Sequence, residues 1–478
     1  MIVRNLVWGV PPEDPKERAL LMKIDWFVLS FACLLYWVNY LDRLNFTNAY
    51  VLGMQEAIGM KADDFNVANT CFTVGYIVFM IPHNLVIMKI RPSYWLSFCC
   101  FAWGLLTLGT YKVSHVYQVF VIRFFMGIFE GATFIAIHYI LGSWYKDYEL
   151  TKRSAVFTCS GLVGSIFSST MQLAIYTNMD MTHGIEGWRW LFIIDFCITI
   201  PIALYGFFCF PDTPETCKAL VFSVEDLELA KSRIKNKEEI TRFDWSILKR
   251  VITNWKWFAF SFLWVLGGEN ESFCSNALLA LWLKYFKYTV PQRNHYPMGV
   301  YAIGIVSTFG AALYVDATGA RYHYRVGLFI GICMIVSAIL LVSGPLNKHV
   351  FFAAQYLAGV SFAGQASFFA YANVLCKDDR ELRGIVIASM NMFSNAVNAW
   401  WSLLFYAADD APKWTKGAIA MFCTAPVSMI VIVFIRFMQK REESKGPTTV
   451  DPESEADSAS DTKNPATIKV HPVESKSS

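Results

Sequence analysis

Residues 117–141 read YQVFVIRFFMGIFEGATFIAIHYIL, an apolar run broken by just two charges, Arg123 and Glu130. A helix needs about 20 mostly apolar residues to cross a bilayer core, so this run is long enough to span one. At a spacing of i to i+7 the two charges lie two turns apart on one helical face. An unpaired arginine facing lipid at that depth is costly. The face therefore either lines a polar cavity or forms a structural pair inside a helix bundle. Gly127 and Gly131, in the same run, form a small-xxx-small pair that lets a neighbouring helix approach closely.

The rest of the chain agrees with this reading. Its 478 residues are 55% hydrophobic and only 17% charged, with a mean hydropathy of +0.38, where soluble domains carry about 25% charged residues. The net charge of +3 supplies no basic surface for nucleic acid. The 12 cysteines are scattered through apolar runs without a CxxC pair and read as small buried hydrophobes, so neither a metal site nor a disulfide framework is expected. The N-terminus has no basic start followed by an apolar core, which argues against a cleaved secretory signal.

Further runs of spanning length fall at about 25–45, 66–88, 94–111, 117–141, 154–175 and 190–210, and again at about 257–283, 297–315, 326–343, 350–374, 384–406 and 418–437. The fold class is therefore all-α integral membrane, with twelve transmembrane helices in two six-helix halves. The expected divisions are an N-terminal segment 1–24, a first half 25–210, a linker 211–256 with helical periodicity near Val224–Ile234, a second half 257–437, and a disordered tail 438–478 rich in Ser, Glu, Asp and Lys. With an intracellular N-terminus the inside segments hold 30 Lys and Arg and the outside loops 9, a bias that places both termini in the cytoplasm.

Six plus six helices around a charged middle loop is the layout of a transporter whose site lies at the midplane between two repeats. Asp42 and Arg43 close the first span, either as a helix-end ion pair or facing a vestibule. In the seventh span Gly267 and Gly268 loosen the helix just before Glu269, Asn270 and Glu271, which makes those three gating candidates or marks a simple interfacial kink. Asn391, Asn395 and Asn398 form a polar stripe in the eleventh span, for substrate contact or interhelical bonding; Gln172, Gln365 and Asn373 are similar. Asp195 is read as a shallow helix-start residue, and His83 and His138 as interface residues. The sequon at Asn45 lies so near the membrane that no glycosylation is expected there.

A carboxylate in an apolar setting holds its proton more tightly, and a nearby arginine weakens that hold. A substrate carboxylate approaching Arg123 then competes with Glu130 for the cation, and proton and anion bind together. There is no GxxxxGK[ST] phosphate loop, so nucleotide-driven pumping is not expected. No cofactor is needed, and no nucleophile-base-orienter spacing suggests an enzyme.

The runs YLDRLNFTNAY (40–50), RFFMGIFEG (123–131), LGSWYK (141–146) and GWRWLFIIDF (187–196) resemble the fungal anion:cation symporters, the allantoate permease family of the major facilitator superfamily. Within that family, VLGGEN (265–270), AQYLAG (354–359) and ASMNMFSNAVNAWWS (388–402) are most similar to the pantothenate permeases, while allantoate, nicotinate and biotin permeases share the scaffold. The resemblance extends over about residues 20–437. It implies a plasma-membrane symporter that imports pantothenate, or a similar organic carboxylate, with protons; a monomer is expected. Position by position, Asp42 and Glu130 match proton-carrying acids, and Arg43 and Arg123 match the basic pair of the anion pathway. Tyr40 and Gln172 match substrate-site positions, alongside the candidates Asn391 and Asn395. One departure stands out: the loop after the second span lacks the Gly and Asp of the superfamily's GxxxDRxGRR pattern and keeps Lys89 and Arg91. A transporter-like nutrient sensor is the alternative from another class.

Overall fold

Apolar runs too long for any soluble strand become helices because, inside a bilayer, only a helix satisfies its own backbone. The computed structural model of the chain describes residues 14–87, 90–218, 221–233, 245–275, 278–318, 322–344, 346–376, 379–407 and 410–444, and among these there is no strand. Two compact units meet in sequence between Val433 and Phe434. The described part of the second is helical and carries an ion pair of Arg436 with Glu443 at 3.6 Å.

Among the described residues all twelve expected spans are present. The first covers Pro15–Ile58, with π-helical turns at Asp25–Leu29 and Tyr50–Met54 and a kink at Gly53, whose φ is 134°. Next come Ala62–Ile87, Pro92–Thr110, a fourth span in two pieces (Val116–Glu130 and Thr133–Trp144), Asp147–Met179 and Gly187–Cys209. The linker contributes Val224–Arg233, as its periodicity suggests, and Trp245–Ile252. The seventh span is Trp255–Ser275 followed by Leu278–Tyr285, and the eighth and ninth are Val290–Ala317 and His323–Ser343. The tenth is Lys348–Ala358 and Ala363–Leu375 joined by a 3₁₀ turn at Gly359–Phe362, and the last two are Arg380–Phe405 and Thr415–Ser444. The last helix continues past the expected boundary at 437, because Arg436, Gln439 and Glu443 bond along it. The rest of the expected tail, most of the N-terminal segment before Asp14, and Lys89 lie outside the described residues.

Two helix pairings recur in the two halves. The first span packs on the fifth as the seventh does on the eleventh, and the second packs on the fourth as the eighth does on the tenth. In the fourth and tenth spans the α-helical bonding pattern is interrupted, at Gly131–Ala132 and by the 3₁₀ turn Gly359–Phe362, while Gly131 and Ala132 and the residues flanking the turn keep helical dihedrals. Across the halves the fifth span lies along the eighth and the second along the eleventh.

The second and fourth spans touch backbone to backbone. A Cβ on Gly127 would sit 2.0 Å from the Phe72 carbonyl oxygen, and one on Gly75 would sit 2.2 Å from that of Phe124. The small-residue reading of Gly127 is therefore a steric requirement. Gly127→Val should force these helices apart at a cost of about 3 kcal/mol or more, lowering the midpoint of thermal aggregation in detergent and the yield of folded protein. Gly109→Ala, where nothing lies within 4 Å of the added carbon, should leave both unchanged. Equal behaviour of the two variants would refute the packing account.

The end of the first half that carries the linker is tied by charges. Arg153 donates to both Asp25 oxygens at 2.7 and 2.9 Å, and Tyr145 adds a third bond to Asp25 at 2.7 Å. Glu17 accepts from Lys146 and Arg233, each at 2.7 Å, and Arg233 also reaches Glu149 at 2.6 Å. Arg91 pairs with Asp212 at 2.6 Å, and Asp212 also accepts from the backbone N–H of Ser93. The acid missing from the loop after the second span is thus supplied from beyond the sixth.

Candidate functional site

The polar faces of the fourth span and its neighbours line a cavity of about 280 Å³ at the contact of the two halves. That is near the lower end of the roughly 300–1,000 Å³ typical of small-molecule sites. From the first half its wall includes Tyr40, Arg43, Asn69, Arg123 and Glu130, and from the second Glu271, Gln365, Asn391, Asn395 and Asn398.

Glu130 stands just before the Gly131–Ala132 turn of the fourth span and is fully buried. Its Oε2 accepts from Arg43 Nε at 3.0 Å and from Asn39 Nδ2 at 2.9 Å, while Oε1 has no hydrogen-bond partner. Arg123 does not reach it. Two helical turns are a rise of about 10 Å, so residues sharing a face at i and i+7 are too far apart to pair, and the partner comes from the first span instead. Arg123 donates from Nη2 to Asn69 Oδ1 at 3.0 Å and lies 4.6 and 4.5 Å from the Phe46 and Phe72 ring centres. Its Nε and Nη1 are buried without partners. Arg43 shares the Phe72 ring, at 5.0 Å, with further contacts to Tyr76 and Tyr40 at 5.2 and 5.7 Å. Aromatic faces favour a desolvated guanidinium without neutralising it, so Arg123 keeps its charge available to an anion while that of Arg43 is met by Glu130.

Asp42 departs from expectation. Neighbouring residues on a helix point about 100° apart, so with Arg43 on the cavity Asp42 faces away from it, neither pairing with Arg43 nor facing a vestibule. It is buried and accepts from Thr107 Oγ1 at 2.9 Å on the third span. Asp195 is not a helix-start residue either; it lies about two turns into Gly187–Cys209, is fully buried and accepts from the side-chain amide of Asn45. That contact buries the sequon asparagine. Gln172 also lies off the cavity wall, its Nε2 donating to the Asn48 carbonyl at 2.7 Å.

In the seventh span Gly267 and Gly268 do not loosen anything, since the helix is unbroken over Trp255–Ser275. They serve packing: a Cβ on Gly268 would lie 2.1 Å from Ser394 Oγ of the eleventh span. Residues at i and i+2 point to nearly opposite sides, so of the three gating candidates only Glu271 reaches the cavity. Glu269 is buried off the wall with neither carboxylate oxygen bonded, and Asn270 accepts from Thr424 at 2.7 Å. In the asparagine stripe Asn395 Nδ2 donates to Asn391 Oδ1 at 3.0 Å. Asn39 and Asn69 are the residues that sequence reasoning missed. The signal for Asn39 was the stripe Tyr36, Asn39, Tyr40, Arg43, Thr47, one polar face of the first span at helical spacing.

Polar contacts join the halves at both ends of the cavity. Lys152 meets Asp316 at 3.4 Å near the linker end. At the opposite end Lys284 donates to Gln55 at 2.7 Å, and Thr70 donates to the Ala399 carbonyl at 3.1 Å. Among the described residues no cluster of His, Cys, Asp or Glu suits a metal ion.

A two-repeat helical bundle with a charged cavity at its midplane defines a multi-pass secondary transporter, and the chain belongs to the Major Facilitator Superfamily, whose sequence profile matches residues 32–402. Among its relatives it is similar to the pantothenate transporter FEN2 of Saccharomyces cerevisiae, with 52% identity over 89% of this chain and 85% of that protein. It is 37% identical to the pantothenate transporter liz1 of Schizosaccharomyces pombe over 89% of this chain and 83% of that one. Among solved structures, the proton:xylose symporter XylE shares the fold with a TM-score of 0.65 at 11% identity, covering 85% of this chain and 94% of the other.

Proposed function

We propose that this protein imports pantothenate by proton symport across the plasma membrane, as a monomer with both termini in the cytoplasm. The observation that carries the reading is the Arg43–Glu130 pair in the wall of a cavity that also holds Arg123 with two unspent N–H groups. A proton on Glu130 removes the charge that Arg43 is paired with. The freed guanidinium and Arg123 then bind the substrate carboxylate, and neither proton nor anion is well held without the other. Asp42, on the far side of the first span, is the second proposed proton carrier. Similarity to two pantothenate transporters supports the substrate. Such an acid, with a pKa near 4, is an anion at most growth pH values and crosses lipid poorly.

In the cycle the halves, 25–210 and 257–437, rock about the cavity while the linker 211–256 tethers them. The Lys152–Asp316 and Lys284–Gln55 contacts part in turn. The 27% identical vitamin H transporter of S. cerevisiae favours a second reading, in which the same mechanism serves another anion. The test is uptake of labelled pantothenate by cells lacking their own carrier, at acidic and neutral external pH, against unlabelled biotin, nicotinate and allantoate. Accumulation should rise with acidity, collapse with a protonophore and resist the competitors. Strong competition by one of them would reassign the substrate, and saturable binding without uptake would make the protein a sensor.

A further inference from the structure

The two walls of the cavity carry complementary unmet hydrogen-bonding needs. On the first-half side Arg123 Nε and Nη1 are buried donors without acceptors. On the second-half side Glu271 Oε2 is a buried acceptor without a donor, and Asn391 Nδ2 is a buried donor whose own oxygen is already taken by Asn395. Glu271 forms no ion pair among the described residues, although Arg43 lines the same cavity and is spent on Glu130. Leaving a buried charged group unsatisfied costs more than leaving a neutral one. A lone carboxylate is thus an odd wall for an anion site, unless the anion's far end brings a hydrogen to it.

We propose that the substrate is read at both ends, its carboxylate by Arg123 and a hydroxyl at its opposite, uncharged end by Glu271, with Asn391 donating to an oxygen of that same end. This rests on the reading above and deepens it, making Glu271 a specificity-determining residue. The ligand class is a carboxylate whose other end carries hydroxyl groups. Pantothenate is of this kind, with a carboxylate at one end and two hydroxyls beyond its amide. The cost of mismatch falls on look-alikes. A site built to bond a hydroxyl rejects the analogue lacking it far more strongly than an apolar pocket rejects a change of one methylene, because its own polar group is left unpaired.

The experiment compares transport of pantothenate with that of N-(3,3-dimethylbutanoyl)-β-alanine, which keeps the carboxylate, amide and branched carbon frame but lacks both hydroxyls. The full-length protein is reconstituted in vesicles with an inward proton gradient. The wild type should prefer pantothenate in kcat/KM by about 100-fold, the scale of one hydrogen bond to a charged group. Glu271→Gln should narrow that preference by about tenfold or more, by weakening pantothenate and leaving the analogue unchanged. Asn391→Ala should narrow it less. If the Gln variant does not accumulate, Glu271→Asp carries the test, since withdrawing the carboxylate by one methylene should also weaken pantothenate selectively. A wild type that transports pantothenate without discriminating overturns the proposal and leaves the functional reading intact. So does a Glu271 variant that slows both compounds equally. A wild type that transports neither compound overturns the functional reading itself.

Discussion

Glu130→Gln is expected to abolish uphill accumulation while leaving tracer exchange at equal concentrations. Glutamine keeps the shape of the side chain and a carbonyl oxygen for the Asn39 amide and the Arg43 guanidinium that meet at Oε2. It cannot take up or release a proton. Removing the carboxylate's charge leaves Arg43 permanently available, so the anion should still bind and the halves should still exchange, with no proton required. A monoanion carried with one proton moves no net charge, and its accumulation follows the pH difference at about tenfold per unit. Each further proton adds the membrane potential, worth about 2.3 kcal/mol per 100 mV. In the variant the acid-driven gain should vanish; an anion carried without its proton moves one negative charge, so the residual flux should follow the membrane potential and, with the potential clamped, should be the same with and without a pH difference. Asp42→Asn is expected to match this loss through a site outside the cavity. Full pH-dependent accumulation in Glu130→Gln would remove Glu130 from the coupling mechanism.

The second large effect is expected at Arg123→Ala. The guanidinium is buried, stacked beside Phe46 and Phe72, bonded once to Asn69, and left with two N–H groups facing no protein acceptor. Truncating one partner of a buried, hydrogen-bonded charge pair costs about 2–5 kcal/mol. The KM for pantothenate should therefore rise by about 30-fold or more. Arg123→Lys should recover only part of this, because a point charge cannot present two parallel N–H groups to a carboxylate. The informative control is Asn69→Ala, which removes the one bond that orients Arg123 and should produce a smaller KM effect with kcat preserved. An unchanged KM in Arg123→Ala, with folded protein in the membrane, would move anion binding to Arg43 alone.

Much of this molecule follows from its order of residues. The lengths and spacing of the apolar runs determine twelve helices, because each buries its own backbone and needs no partner to be recognised. Periodicity within a run determines which side chains share a face, which put Arg123 with Glu130, and Asn391 with Asn395 and Asn398, on single polar stripes that do line one cavity. Spacing along one helix says nothing about what stands opposite it. Only tertiary packing brought Arg43 and Asn39 of the first span to Glu130, gave Arg123 to Asn69, turned Asp42 toward Thr107, and buried Asp195 against Asn45. The glycines show the same division. Gly267 and Gly268 look like a weak point when the helix is considered alone, yet Ser394 packs over Gly268 and the helix is unbroken, whereas Gly127, in the fourth span, is required because the Phe72 carbonyl lies where its Cβ would be. A helix reveals its own faces, but the partner of each polar group is chosen by the helix that packs against it, since in a medium without water every buried donor and acceptor must be met by whichever neighbour the bundle supplies.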